Sequence, residues 1–460
     1  MSDSLIEKIV ALCKRRGFIF PGSEIYGGLA GTWDYGQLGA LLKKNLKDLW
    51  WEDAVQLRDD VVGVDAAIMM NPKVWVASGH VDSFADTLVE CKICHIRLRD
   101  DKDEEKKIHE EKHLNAGEGE VVWTNPKRFS TLVSAQVGVI EGDKTNLYLR
   151  GEITAGVHVN FKSVVDSTRV RIPFGIAQIG KAFRNEITPG NFTFRSREFE
   201  QMEVQYYVKP DKSEGQKWFS YWKQNRMDWY LSLGLKKENL QFRDHEPNER
   251  AHYAKAATDI EYKAPWGWSE FMGIHHRGTW DLSRHQQYSG QSMTYHDPDT
   301  NEEYIPYDIE TSAGVDRSIL FLLIDAYFED GDRVVLKLHP KLAPYKAAVF
   351  PLVRNKPEIV DKAREIYSHL KFKLKLPTIF DDRGNIGKRY YAQDEAGTPW
   401  CITVDYQTLD DETVTVSLKG PELRAIDVYN QQDTMTTAGR LVIASKGLGA
   451  KVIAVEETGL

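Results

Sequence analysis

The segment from residue 174 to residue 208 constrains the fold of this chain more than any other stretch. Its two halves alternate apolar and polar residues, and they flank a polar loop around Pro189 and Gly190. Because alternate residues of a strand share a face, the pattern predicts two long antiparallel strands. One face of the second strand is apolar and is expected to meet a core; it carries Met202, Val204, Tyr206 and Val208.

The opposite face of the predicted hairpin is polar and includes small residues. Its members are Gln178, Gly180, Ala182, Arg184 and Glu186 in the first strand and Phe199, Gln201, Glu203 and Gln205 in the second. An arginine suits a phosphate, an aromatic ring suits a base, and carboxylates suit a cation. The small residues are expected to leave room for a ligand. The alternative is a half-solvated sheet whose polar face meets water, which is common in antiparallel sheets.

The remaining pattern predicts an α+β chain with more than one domain. Helices are predicted at residues 37–50 and 217–233, and a turn followed by an apolar helix within residues 312–328. After Asp332, strands are predicted at residues 334–338, 347–352 and 402–406, with a helix at residues 357–370. This rhythm is typical of a separate small α/β domain with a mainly parallel sheet.

Composition excludes several classes of protein. A net charge of −8 argues against a generic polyanion binder but allows a local basic stripe. No apolar run approaches the ~20 residues of a membrane span, and residues 1–16 predict an amphipathic helix rather than a signal peptide. Four cysteines do not indicate a disulfide framework. We expect a soluble cytoplasmic protein with no membrane partner.

A group of potential metal ligands lies near residue 100. Cys91 and Cys94 are followed by His109 and His113 in a C-x2-C-x14-H-x3-H spacing. The charged run at residues 99–113 predicts a helix, which would place both imidazoles on one face. Two thiolates and two imidazoles suit tetrahedral Zn²⁺. His95 is a competing ligand, and the alternative is a remnant cysteine pair beside a solvated helix.

Four strings, in order along the chain, resemble the glycyl-tRNA synthetase family of class II aminoacyl-tRNA synthetases. FRNE at residues 183–186 with REF at residues 197–199 resembles motif 2, and GVDR at residues 314–317 resembles motif 3. MNPKVWVASGH at residues 70–80 resembles the neighbourhood of motif 1, and residues 335–406 resemble the anticodon-binding domain. The resemblance covers about residues 5–415. It implies an antiparallel-sheet catalytic domain with helices, a C-terminal α/β anticodon-binding domain and a homodimer.

The resemblance also implies an activity and a domain division. The chain would activate glycine with ATP and Mg²⁺ to glycyl-adenylate and pyrophosphate, then transfer glycine to the 3′-terminal adenosine of tRNA(Gly). Residues 1–86 and 146–331 would form the catalytic domain, residues 87–145 an insertion with the zinc site, and residues 332–460 the anticodon-binding domain.

Residue roles follow from the same resemblance. Arg184 and Arg317 are the expected catalytic residues, on the α- and γ-phosphates of ATP, with Arg317 in the first turn of a predicted helix. Glu186 and Phe199 would bind the adenine by a hydrogen bond and by stacking. The residues implied around glycine are Glu152, Glu203 and Glu310 at the ammonium, Ser312 in the space of a larger side chain, and Arg277 near the carboxylate.

The chain departs from the family at three places, and the first is the insertion at residues 87–145, where some relatives carry two CxxC pairs and this chain has only the pair of Cys91 and Cys94. It reads YLRGEITAG where the family usually reads YLRPETAQG, so Gly151 and Ala155 replace proline and glutamine, and we expect Glu152 to be held less rigidly. Residues 417–432 look inserted. Two alternatives are a synthetase-like binding protein without activity, such as the accessory subunit of mitochondrial DNA polymerase, and a threonyl or prolyl enzyme. The arginines, the pocket glutamates and the IETSAG string at residues 309–314 favour the glycyl enzyme.

Overall fold

The structure is a computed structural model that describes residues 4–83, 85–138, 144–250, 254–418 and 451–457. The helices are α1 (Leu5–Arg16), α2 (Gln37–Trp51), α3 (Pro72–Ala77), α4 (His80–Ser83), α5 (Asp103–Asn115), α6 (Thr154–Ser167), α7 (Lys212–Ser232), α8 (Trp280–Ser289), α9 (Val315–Ala326), α10 (Pro357–Ser368), α11 (Ile386–Ala396) and α12 (Tyr406–Asp411). The strands are β1 (Ile19–Pro21), β2 (Trp33–Tyr35), β3 (Val61–Gly63), β4 (Ala85–Glu90), β5 (Arg97–Arg99), β6 (Lys127–Ser130), β7 (Ser134–Val137), β8 (Thr145–Tyr148), β9 (Phe174–Phe183), β10 (Glu198–Val208), β11 (Leu240–Asp244), β12 (Ala256–Ala264), β13 (Gly267–Gly278), β14 (Tyr295–His296), β15 (Glu303–Tyr304), β16 (Tyr307–Gly314), β17 (Tyr327–Asp330), β18 (Arg333–Leu336), β19 (Ala347–Pro351), β20 (Thr378–Phe380), β21 (Trp400–Val404), β22 (Thr413–Leu418) and β23 (Lys451–Glu457).

The largest sheet has seven strands in the order β11-β12-β13-β16-β10-β9-β3. Every pair is antiparallel except the edge pair β3·β9. The predicted hairpin forms two adjacent inner strands of this sheet, with β9 and β10 paired from Phe183↔Glu198 to Phe174↔Tyr207. The α+β prediction with an antiparallel main sheet is confirmed.

The two faces of β10 have the predicted characters. Met202, Val204 and Tyr206 are fully buried in the main core, to which α9 also contributes. The role expected for the small residues is wrong at Gly180. A Cβ there would lie 2.2 Å from Nη2 of Arg150, so the glycine makes space for that buried guanidinium and not for a ligand.

The strand before α9 continues further than the pattern suggested. The prediction placed a turn at Ser312, but β16 continues through Ser312 to Gly314, and the helix starts at Val315. Strand pairing on both sides explains the difference, because Ser312 lies opposite Glu203 of β10 and Gly273 of β13. Pairing with two neighbouring strands can keep residues extended where the local sequence alone favours a turn.

The C-terminal part contains the predicted α/β unit. Its sheet has the order β20-β19-β21-β22-β23, and only β21·β22 is antiparallel. The strand predicted at residues 334–338 does not belong to it: β18 pairs with β17 in a separate hairpin. Leu336 and Leu338 pack in the main core, whereas the second core starts at Ala347. Of the segment that looked inserted, residues 419–432 lie outside the described residues.

Two further features complete the architecture. Strand β4 and the residues that follow it form a three-stranded sheet, β5-β4-β6, and α5 contacts the turn after β4. Arg15 and Arg16 at the end of α1 both pair with Glu395 of α11, which connects the first helix to the C-terminal α/β unit. Within the ranges that the structure describes, no helix is long and apolar enough to span a membrane.

Candidate active site

A single cleft of about 230 Å³ lies on the polar face of the main sheet. It brings together every residue predicted to bind ATP or glycine: Glu152, Arg184, Glu186, Phe199, Glu203, Arg277, Glu310, Ser312 and Arg317. Phe199 and Glu203 come from β10, and the others come from β13, from β16, from the start of α9 and from the loop before α6. Arg184 and Glu186, predicted on the first strand of the hairpin, instead follow that strand, because β9 ends at Phe183. Segments more than 150 residues apart in sequence, Glu152 and Glu310 among them, therefore share one cavity.

Strand register positions the acidic half of the cleft. Glu203 lies directly across from Ser312, and Glu310 lies directly across from Gln205 and His275. Directly opposed side chains in a sheet are about 4.5–5.5 Å apart at Cβ, which is within hydrogen-bonding reach. The two glutamates thus sit in adjacent rows that cross the sheet, each with polar neighbours on the flanking strands.

Glu203 is buried and accepts hydrogen bonds at both carboxylate oxygens. Ser312 Oγ donates to Oε1 over 2.6 Å, and Gln201 Nε2 donates to the same oxygen over 3.0 Å. Thr154 Oγ1 donates to Oε2 over 2.7 Å. Burial raises the pKa of Glu203 to about 8, and the charges of Glu310 and Glu152 add to the shift.

Glu310 has the opposite electrostatic environment. Arg277 Nη1 donates to its Oε2 over 3.0 Å, and His275 Nδ1 lies 2.7 Å from its Oε1. Burial alone would raise the pKa of Glu310, but Arg277 and His275 hold it well below the ordinary value. One of the two neighbouring carboxylates is therefore firmly ionised, and the other has a strong tendency to take up a proton.

Glu152 closes the pocket from the third side. Its Oε1 lies 3.2 Å from Nε2 of His80, a residue of the string matched to motif 1. Burial would raise the pKa of Glu152, but His80 and Arg277 lower it. Although Gly151 replaces a proline, the carboxylate has a defined partner. Three carboxylates in one small cavity suit an ammonium ion, which can neutralise their mutual repulsion.

The other half of the cleft is basic and aromatic. The guanidinium carbon of Arg184 lies 5.3 Å from the centre of the Phe199 ring, and its Nε donates to the carbonyl oxygen of Gly151 over 3.0 Å. Glu186 is half-buried nearby, and its carbonyl oxygen accepts from Arg197 Nε over 3.2 Å. An arginine, an aromatic ring and an acceptor along one wall can contact a phosphate, a purine ring and its amino group.

Arg317 lies in the first turn of α9, as the sequence predicts. Its Nε donates to the carbonyl of Phe194 over 3.1 Å, and its guanidinium carbon lies 4.5 Å from the Phe194 ring centre. Its neighbour Asp316 also lines the cleft and accepts from Lys43 Nζ over 2.8 Å. The helix N-terminus adds partial positive charge beside Arg317, which favours an anion there.

Sequence reasoning missed several residues that complete the pocket. Gln201 and Gln205 were placed on the polar face but given no role, and His275 is two residues before Arg277 on the same strand. The sequence could have indicated Gln201, Gln205 and His275, because each lies an even number of residues from a predicted site residue on the same strand. Thr154 had no such signal, because it reaches Glu203 from the start of α6, and His80 reaches Glu152 from the start of α4.

The predicted metal ligands also come together. Pairs of donor atoms are separated by 3.1 Å (His109 Nε2 to His113 Nε2), 3.3 Å (His113 Nε2 to Cys94 Sγ), 3.4 Å (His109 Nε2 to Cys94 Sγ) and 3.8 Å (Cys91 Sγ to His113 Nε2). Around tetrahedral zinc, with bonds of about 2.3 Å to sulfur and about 2.0 Å to nitrogen, such donor atoms are separated by about 3.3–3.8 Å. The competing His95 instead contacts Glu90, with Nδ1 3.1 Å from Oε1.

Comparison with known proteins agrees with this geometry. Residues 346–419 match the anticodon binding domain family. A glycine–tRNA ligase of Borreliella burgdorferi is 50% identical over 419 residues, 89% of this chain and 92% of the relative. The glycine–tRNA ligase of Caldanaerobacter subterraneus subsp. tengcongensis is 50% identical over 89% of this chain and 93% of its own length.

A solved structure shares the fold. It is the Giardia lamblia prolyl-tRNA synthetase in complex with prolyl-adenylate, with a TM-score of 0.67, 16% sequence identity, and coverage of 97% of this chain and 80% of that chain. This likeness identifies the class II synthetase fold. The identity to the bacterial ligases, over nine tenths of both chains, goes further: this chain belongs to the glycine–tRNA ligase family.

Proposed function

We propose that this protein activates glycine with ATP, as the Mg²⁺ complex, and transfers the glycyl group to tRNA(Gly), with the cleft as its active site. The activity follows from membership of the ligase family, and the C-terminal domain match fits a tRNA partner. The observation that supports the cleft as the glycine site is the buried set of three carboxylates, Glu152, Glu203 and Glu310, around a space too small for a large substrate.

Glycine would bind at the acidic end. Its ammonium would be held by the three carboxylates, and its carboxylate would lie toward Arg277. Ser312 would fill the space that a Cβ needs, since its Oγ is fixed by the 2.6 Å hydrogen bond to Glu203. Selection by exclusion suits glycine because every competing amino acid is larger.

ATP would bind at the basic end. Phe199 would stack on the adenine, Glu186 would accept from its amino group, and Arg184 would contact the α-phosphate where charge develops as the carboxylate of glycine attacks. Arg317, with the N-terminus of α9, would hold the γ-phosphate. Catalysis of this step requires positioning and charge stabilisation more than covalent chemistry by the protein.

The decisive experiment is ATP–pyrophosphate exchange with each amino acid in turn. The expected result is exchange that depends on glycine alone, followed by glycylation of tRNA(Gly). Exchange with proline or threonine would assign the chain a different specificity. Exchange with no amino acid would favour a synthetase-like protein without activity.

We also propose that Cys91, Cys94, His109 and His113 hold a structural zinc ion. Three of the four separations given above lie within the tetrahedral range, and the 3.1 Å between the two imidazole nitrogens is slightly below it. The four side chains supply the four ligands that tetrahedral zinc needs. Nδ1 of His113 lies 2.5 Å from Glu118 Oε2, which matches the carboxylate–histidine arrangement that orients metal-binding imidazoles. When bound, zinc would fasten α5 to the turn after β4.

The homodimer remains a proposal. Its support in this structure is a group of exposed apolar side chains near the N-terminus: Ile25, Tyr26 and Leu29 are 88%, 87% and 59% exposed. A patch of this kind favours burial against a second copy of the chain. Light scattering of the wild type and of Tyr26→Ser measures the mass directly. The site of glycylation in cells is proposed to be the cytoplasm, which fractionation tests.

A further inference from the structure

A second polar cluster lies under the glycine end of the cleft. His158, Asp281 and Asp308 are 1%, 3% and 1% exposed, and none of them lines the cleft. His158 Nε2 lies 2.8 Å from Asp308 Oδ2, and its Nδ1 lies 3.6 Å from Asp281 Oδ1. His158 is one turn after Thr154 on α6, so one helix face contacts both the pocket and this cluster.

The cluster is connected to the pocket through Arg277. Asp281 accepts both arms of the Arg277 fork, from Nε over 2.7 Å and from Nη2 over 2.9 Å. The remaining nitrogen, Nη1, donates to Glu310. A continuous chain of charged contacts therefore runs from His158 through Asp281 and Arg277 to Glu310, across α6, α8, β13 and β16.

The charges in this chain depend on one another. Burial alone would lower the pKa of His158, but Asp281 and Asp308 raise it above the ordinary value and so favour the protonated imidazole. Loss of that cation would leave two buried carboxylates with less compensation, and a buried, uncompensated charge is strongly unfavourable. Asp281 would then change its orientation, and the Arg277 guanidinium that it binds would move with it.

We propose that His158 is a positioning residue for glycine: it holds Asp281, which fixes the Arg277 guanidinium against Glu310 and so sets the affinity for the amino acid. This proposal rests on the assignment of Arg277 and Glu310 to the glycine site. It assigns a role in substrate affinity to a residue that does not touch the substrate. The alternative is that the cluster only stabilises the fold.

Substitutions of His158 in the full-length chain distinguish the two. His158→Leu removes both nitrogens, whereas His158→Asn keeps an amide near the position of Nδ1, facing Asp281. We expect His158→Leu to raise the KM for glycine by about tenfold, with kcat and the KM for ATP within about twofold of wild type, because a contact made equally before and during the reaction is weakened. His158→Asn should restore most of the affinity. If His158→Leu does not fold, Asp308→Asn takes its place in the experiment and should also raise the KM for glycine.

A matched control removes a buried hydrogen bond that is outside this chain of contacts. Tyr230 OH lies 2.9 Å from Ser318 Oγ in the main core, and Tyr230→Phe should leave the KM for glycine unchanged. An unchanged KM in His158→Leu overturns the proposal. So does an equal loss of glycine and ATP affinity with a lower melting temperature, which is the result of a purely structural role. Absence of glycine-dependent exchange in the wild type would instead contradict the proposed function itself.

Discussion

The carboxyl group of Glu203 is buried beside two other carboxylates, and in the proposed glycine site this placement predicts that glycine binding depends on pH. Its pKa in the empty pocket is raised to about 8, so below that pH the group is largely neutral. The ammonium of glycine needs the charged form, and binding then releases a proton. The KM for glycine should therefore fall as pH rises from 6 to 8, by at most about tenfold per unit, and then level off.

The measurement is the KM for glycine in pyrophosphate exchange across this range. Glu203→Gln cannot release a proton, so its KM should be higher and nearly constant with pH. A slope in the variant equal to that of the wild type would mean that another group titrates. A wild-type KM that is independent of pH would mean that Glu203 is already ionised in the empty pocket.

The two arginines of the basic end should be needed for chemistry and not for folding. Arg184→Ala or Arg317→Ala each removes a fixed cation from the proposed phosphate site. Loss of one preorganised donor typically costs about 10²–10³ in rate. Circular dichroism and exchange kinetics measure fold and rate together. Arg171→Ala, which removes an exposed pairing with Asp299, is the control and should be neutral. Near-normal exchange in both cleft variants would refute the nucleotide assignment.

Ser312 and Glu310 should affect specificity in different ways. Ser312→Gly removes the atoms proposed to exclude a Cβ, so alanine should be activated and the glycine-to-alanine ratio of kcat/KM should narrow. One methylene is worth about 1–3 kcal/mol in such pockets, which bounds the change. Glu310→Gln should raise the KM for glycine without helping alanine. An unchanged ratio in the first variant together with an unchanged KM in the second would contradict the pocket assignment.

Alternation along β10 was sufficient to predict that Phe199, Gln201 and Glu203 line the cleft, whereas no residue of β9 lines it. Phe199 and Glu203 lie on that side because the period of a strand is two, whatever packs against it. Thr154 and His80 could not be found in this way. Each reaches its glutamate from the start of a helix, and the direction of that helix is set by tertiary packing rather than by local sequence.

At the scale of single elements, we expect α5 and the turn after β4 to depend on the proposed metal. Metal analysis of protein purified without chelators should show about one zinc per chain. Cys91→Ser should abolish it and should increase proteolysis within residues 91–115, because a structural zinc supplies folding free energy. Cys401→Ser replaces a buried cysteine of the C-terminal domain and should retain the metal.

Two findings would contradict this zinc site. One is that protein stripped of metal by a chelator resists proteolysis in its insertion as well as protein purified without chelators does. The other is retention of zinc after loss of Cys91. The spacing of the four ligands was readable in the sequence, and the helical period placed His109 and His113 on one face. The exclusion of His95 was not readable, because it depends on the turn that directs this side chain to Glu90.

At the scale of the whole molecule, the position of the domain boundary decides how the chain can be divided. The sequence suggested Asp332, where composition changes. In the structure Leu336, Leu338 and Leu342 all pack in the main core. A change in local composition cannot reveal this, since the three leucines follow the predicted boundary and yet are buried against elements that precede it.

A truncated chain of residues 1–345 should therefore keep glycine-dependent pyrophosphate exchange and lose most aminoacylation of tRNA, because activation needs only the cleft. This truncation also removes α11, whose Ala396 packs in the main core and whose buried Asp394 pairs with Arg333, so the 1–345 protein should be less stable than the full chain. A chain of residues 1–331 should be much less stable, since it lacks those core leucines. Equal loss of exchange and aminoacylation in a folded 1–345 protein would contradict the division of labour.

The pairing of β10 with β9 and β16 has a consequence for how this site can vary. Insertion of a single residue into β10 before Gln201 would reverse the direction of every side chain after it. Met202, Val204 and Tyr206 would then face the cleft, and Glu203 would be turned into the apolar core. Substitutions can adjust the chemistry of the pocket one side chain at a time, but the length of this strand admits no gradual change. Length variation in active descendants of this chain should be confined to the loop between β9 and β10 and to the loops at the ends of the sheet.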